Sequence, residues 1–207
     1  MEKELRNQLR ELENMFLKFQ PRTSLQFQVD LTRHCNMKCK YCGNFSPLAE
    51  KEFLDLDEYR ADLSRLSELF QGEAKRIILQ GGEPLLHPEI NAILQMTREY
   101  FPMGDILIIT NGILLPSMSK SFWETCKTCQ IKLTPTEYPL SFDYDACQSL
   151  AESEGVLYLA HDSNRDKAHQ KKMFKFLTSL EPLNSPEHNF AHCEPANRCI
   201  TLAHGKM

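Results

Sequence analysis

The sequence predicts an α/β fold of parallel strands. Two observations lead to it. Short apolar, β-branched runs alternate along the chain with longer segments whose apolar residues recur at helical spacing, the pattern of βαβ units. Residues able to do chemistry stand directly after these runs, which points to a barrel whose active rim is the C-terminal edge of its strands.

Residues 2–19 place Leu5, Leu9, Leu12, Phe16 and Phe19 on one helical face, so residues 1–22 are expected to form a lead-in helix. The run from Leu25 to Leu31 alternates apolar and polar as a first strand does. Asp55 or Asp57 is placed to cap a helix carrying Leu56, Tyr59, Leu63, Leu66 and Phe70, stopped by Gly72. Arg76 to Gln80 is a short buried strand, and a helix from about Pro88 to Phe101 carries Ile90, Ile93, Leu94 and Met96. Ile106 to Thr110 is the third strand and runs into the turn signal Asn111-Gly112. A helix near 117–126, a strand near 131–134, a helix near 144–154 and a strand at 156–160 follow. Five strands are thus legible, with the barrel expected over 23–162. Residues 163–207 read as an irregular region with one helix around 171–180.

Composition excludes several function classes. Twenty-eight acidic against 24 basic residues give a net charge of −4 and a pI near 6.0, which supplies no electrostatic footprint for nucleic acid or an anionic membrane. The first residues are charged where a signal or transit peptide needs an apolar or basic stretch, and no apolar run reaches membrane-spanning length. A cytoplasmic location is the expectation. Eight cysteines then serve as metal ligands or buried thiols in a reducing compartment.

Cys35, Cys39 and Cys42 form a C-x3-C-x2-C spacing that supplies three thiolates from one loop. A structural zinc site takes four ligands, and so does an electron-transfer [4Fe-4S] cluster. Three cysteines therefore leave one iron of such a cluster open to a small molecule. The competing reading is a zinc knuckle with His34 as fourth ligand, although a histidine adjacent to a ligating cysteine is poorly placed for it. Downstream stand Gly81-Gly82-Glu83-Pro84 and Thr110-Asn111-Gly112, each directly after a strand.

In these three ordered motifs the chain resembles the radical S-adenosylmethionine (SAM) family, from about residue 25 into the 150s. The resemblance implies a partial, six-stranded (β/α)6 TIM-like barrel, which leaves a sixth strand to be found. It implies that Cys35, Cys39 and Cys42 hold a [4Fe-4S] cluster whose fourth iron chelates the methionyl end of SAM, that a reduced cluster cleaves SAM to a 5′-deoxyadenosyl radical, and that this radical abstracts hydrogen from a substrate. Tyr41 matches a position that lies against the adenine. Gly81 and Gly82 can bring main chain close to a ligand, Glu83 suits the SAM ammonium as an acceptor, and Pro84 fixes the turn. Thr110, Asn111 and Gly112 match positions that contact the ribose or the carboxylate, with a plain turn as the alternative. Thr134 and Thr136 are weaker candidates on the same rim, for SAM or substrate. An electron donor such as flavodoxin or ferredoxin and a small-molecule or peptide substrate complete the implied partners, and nothing in the sequence selects the reaction. A compact ring-forming enzyme resembling deazaguanine synthases is an alternative, against which Tyr41 stands where they have tryptophan. A non-catalytic iron-sulfur or zinc-binding protein is another.

Three other cysteine groups remain. Cys126 and Cys129 straddle a helix end and read as buried or free thiols; Cys147 reads as core. Cys193 and Cys199 precede a strand and the turn pair His204-Gly205, an arrangement similar to the hairpin of family members with an auxiliary cluster in a C-terminal extension. On that reading the chain is a fragment, truncated in its extension, and further ligands lie beyond Met207.

Overall fold

The computed structural model describes residues 26–40, 42–138, 140–160, 185 and 200–202. The expected lead-in helix, the helix at 171–180, Tyr41, Cys193, Cys199 and the His204-Gly205 turn lie outside them.

Six parallel strands lie in the order β5-β4-β3-β2-β1-β6: β1 Gln26–Thr32, β2 Arg76–Gly81, β3 Asp105–Thr110, β4 Lys132–Pro135, β5 Leu157–Tyr158 and β6 Thr201–Leu202. Between consecutive strands run helices α1 Leu56–Phe70, α2 Ile90–Tyr100, α3 Lys120–Thr128 and α4 Tyr144–Ser153. The sixth strand expected of a (β/α)6 barrel is present. Thr201 and Leu202 pair parallel with Gln28 and Val29, so the sheet takes in a segment past residue 162.

Strand alternation sorts the residues. Phe27, Val29 and Leu31 of β1, Ile77 and Leu79 of β2, Ile106 and Ile108 of β3 and Leu133 of β4 are buried in one core with the helices. Apart from Thr32 at the rim, the alternate positions are only half-buried or exposed and form the other face of the sheet. The helices start where side chains satisfy their first amides: Asp55 accepts from the amides of Asp57 and Glu58, Ser119 from Phe122, and Asp143 from Ala146. Helix α1 ends on Gln71, itself left-handed, one residue before the expected Gly72. Tyr59 and Thr97 share a buried 2.8 Å hydrogen bond that ties α1 to α2.

Register places one row of side chains just below the C-terminal rim. Asp30 pairs with Gln80, Leu79 with Ile108 and Ile109 with Thr134, so Asp30, Gln80, Ile109 and Thr134 lie side by side across β1 to β4. A register shift between Asp30 and Thr32 then bends β1 into the cysteine loop.

Candidate functional site

All three motifs meet at the C-terminal rim, joined first through main chain. The amide of Gly82 donates to Thr32 O at 2.7 Å and that of Glu83 to His34 O at 2.9 Å, so the segment after β2 carries the start of the cysteine loop. That contact explains both glycines. A Cβ on Gly82 would stand 2.1 Å from His34 O, and one on Gly81, whose φ is +130°, would stand 2.3 Å from Thr32 O. The close approach that the sequence reading assigned to a ligand is here made by the cysteine loop itself. Asn44, just beyond Cys42, donates its side-chain amide to Gly81 O and ties down the other end of the loop.

Glu83 also departs from expectation. Its carboxylate is fully buried: Oε1 accepts from the Leu85 amide at 3.1 Å and the Thr110 hydroxyl at 2.6 Å, and Oε2 from the Asn111 amide at 2.8 Å. Three internal donors thus hold a group expected to face the SAM ammonium, and it caps the 3-10 turn Pro84–Leu86, in which Pro84 takes the first position. Burial raises its pKa, and these three hydrogen bonds oppose the rise.

The strap continues through the end of β3. Thr110 Oγ1 accepts from the Gly112 amide at 3.0 Å, and Asn111 Oδ1 accepts from the Ile113 amide at 3.0 Å. With its oxygen so engaged, the Asn111 side chain turns its NH2 to Asn36 Oδ1 at 2.7 Å and Cys35 Sγ at 3.8 Å. Gly112 has φ +78° and lies against the Tyr144 ring. The Tyr144 hydroxyl donates to Asn111 O at 3.2 Å and accepts from the Tyr138 amide at 3.1 Å, which fastens the segment after β4 to the segment after β3.

Tyr138 is the site residue that sequence reasoning missed. Its phenol lies near the Cys39 thiol and favours the thiolate there. Burial first, then its proximity to Cys39, Cys35 and Cys42, pushes the phenol up to about 12. The available signal was its position on the rim after β4. Thr136 continues the ladder through its amide to Thr110 O, while the Thr134 hydroxyl is buried and has no hydrogen-bond partner among the described residues.

The three thiols share a neighbourhood: Cys39 is electrostatically coupled to both Cys35 and Cys42, and Tyr138 senses all three. Among the described residues no three His, Cys, Asp or Glu side chains converge on a point as ligands of a single ion would. Three thiolates set apart on one loop suit the soft, multi-iron framework of an iron-sulfur cluster, with its ligands on different irons. Burial leads in raising the Cys35 thiol, with Glu83 and Cys39 adding to it; Cys39 is raised by burial and then by Cys42. Bound iron would offset this repulsion, since it takes cysteine as thiolate.

The remaining described cysteines are elsewhere and buried. Cys126 and Cys129 sit at the end of α3, and burial pushes Cys126 up to about 12. Cys147 is buried on α4, as expected of a core residue.

Comparison with known proteins decides the family. The model of the radical SAM superfamily matches residues 29–134, just over half of the chain. The chain belongs to that superfamily. A GTP 3′,8-cyclase of Helicobacter pylori is 32% identical over 96 residues, covering 45% of this chain and 29% of that protein. Molybdenum cofactor biosynthesis protein 1 of Bos taurus is 32% identical over 118 residues, covering 54% of this chain and 18% of the relative. The chain thus spans less than a third of the length of the curated relatives it matches. Among solved structures, BtrN in complex with AdoMet and 2-DOIA superposes with a TM-score of 0.54 at 26% identity, over 69% of this chain and 58% of BtrN. Streptococcus suis SuiB bound to S-adenosylmethionine superposes with a TM-score of 0.54 at 15% identity, over 82% of this chain and 41% of SuiB, and shares the fold. No helix among the described residues is long and apolar enough to cross a membrane.

Proposed function

We propose that this chain is the core of a radical SAM enzyme in which Cys35, Cys39 and Cys42 hold a [4Fe-4S] cluster. The observation that carries the reading is the loop's seating: three thiols on one loop, beside Tyr138, held by main-chain hydrogen bonds on Gly82 and Glu83 at the C-terminal edge of the sheet. When bound, the reduced cluster and SAM supply a 5′-deoxyadenosyl radical able to take hydrogen from an unreactive carbon.

The residues around the loop have separate tasks. Tyr41 is assigned to the adenine by its place in the motif, Gly81 to Pro84 carry the cysteine loop, and Thr110, Asn111 and Gly112 form the neighbouring wall of the SAM site. Glu83 orders that wall from behind through Thr110 and Asn111, and so supports the SAM contact without supplying it. The substrate, a small molecule or peptide, lies on the face formed by Asp30, Gln80 and Ile109, below the rim that carries the cysteine loop. A flavodoxin or ferredoxin supplies the electron. The test is anaerobic reconstitution with iron and sulfide, followed by reduction with SAM present. Formation of 5′-deoxyadenosine is expected, and a chain that assembles the cluster yet forms none is not such an enzyme.

A further inference from the structure

Sulfur ligands of an iron-sulfur cluster set its potential partly through the hydrogen bonds they accept, because each N–H or O–H directed at sulfur stabilises the more negative, reduced state. The Cys35 sulfur has two such donors. One is local, the Met37 amide at 3.4 Å. The other comes from 76 residues away, the Asn111 side-chain amide at 3.8 Å.

The second donor is held in place. Ile113 fixes the amide oxygen, Asn36 takes one N–H, Glu83 holds the Asn111 main-chain amide, and Tyr144 holds its carbonyl. An asparagine needed only as a turn residue would require just the Oδ1 to Ile113 contact. The other bonds restrict which way the NH2 points.

We propose that Asn111 tunes the redox potential of the cluster by donating a hydrogen bond to the Cys35 sulfur, with Glu83 as the positioning residue that sets the Asn111 backbone. The inference rests on the reading that Cys35 is a cluster ligand. Tyr138, after β4, lies near Cys39 and favours the thiolate there, so side chains after both β3 and β4 neighbour the sulfurs. The electron is thereby made easier to deliver, without contact between Asn111 and the electron donor.

The experiment is an EPR-monitored redox titration of the reconstituted protein, wild type against Asn111→Ala and Asn111→Asp, with iron per chain and SAM affinity measured on the same samples. Asn111→Ala is expected to move the midpoint potential negative. Asn111→Asp keeps the shape and the acceptor for Ile113 but places negative charge where the donor was, and is expected to move it further. Fully loaded variants at the wild-type potential would overturn the proposal, as would a changed SAM affinity at unchanged potential, which would make Asn111 a ligand contact. If Asn111→Ala does not assemble, Asn111→Asp carries the same two readings; failure of both assigns Asn111 to building the loop and also overturns tuning. Wild-type protein that binds no cluster would instead defeat the underlying assignment.

Discussion

Two groups of closely spaced cysteines meet opposite surroundings in this chain. Cys35, Cys39 and Cys42 leave the end of β1 on a loop, half-buried, with N–H and O–H donors at two of the sulfurs. Cys126 and Cys129 stand at the end of α3, buried among apolar side chains, where the carbonyl end of the helix further disfavours a thiolate. The sequence separations are similar, but the first group has N–H donors directed at sulfur, whereas Cys126 is enclosed by apolar side chains and Cys129 has the nearby Arg98 to favour a thiolate. Spacing nominates a ligand set, and the local dielectric and donors decide whether it can ionise.

The largest contrast is expected from the ligands themselves. Cys42→Ala should lose the cluster absorbance and all 5′-deoxyadenosine formation, measured after anaerobic reconstitution; activity at the wild-type level would remove the basis for separating the two groups. Gly82→Ala tests the seat beneath the loop. Its Cβ meets backbone atoms of Arg33 and His34, so the loop must shift, at a cost of about 3 kcal/mol or more. Urea unfolding of the apo protein and iron uptake should both fall, and tolerance of alanine would mean the glycine serves something other than this contact.

Glu83→Ala comes next. It leaves three buried donors without their acceptor, and apo stability should drop by about 2–3 kcal/mol with no SAM present. A loss seen only as weaker SAM binding would restore the carboxylate to direct ligand contact. The smallest effect belongs to the second group: replacing Cys126 and Cys129 by alanine should cost about 1 kcal/mol per site and leave iron content unchanged. At pH 8 a thiol pushed up to about 12 is ionised to on the order of one part in ten thousand, so native Cys126 should resist iodoacetamide, and reactivity should grow only as pH rises toward that value. Rapid alkylation at pH 8 would show that the helix end is not closed.

Five strands, the helices between them and the three rim motifs were legible because each rests on a local pattern: β-branched runs, helical spacing, capping residues, and cysteines a few positions apart. The alternation in β1 and the Asn111-Gly112 turn needed no partner to be recognised. A strand after Cys199 was legible but not its place, because Thr201 and Leu202 become the sixth strand only by pairing with Gln28 and Val29, about 170 positions earlier.

The same division holds within the site. The residue types proposed to hold a cluster follow from chemistry readable in one dimension, since three thiols come from a single loop. The partners of Glu83, the neighbour that excludes a Cβ at Gly82, the donor aimed at Cys35 and the place of Tyr138 beside Cys39 all depend on which strand ends lie side by side. Hydrogen-bond geometry between segments 30 to 100 residues apart is set by sheet register, and register is fixed only when the whole core packs.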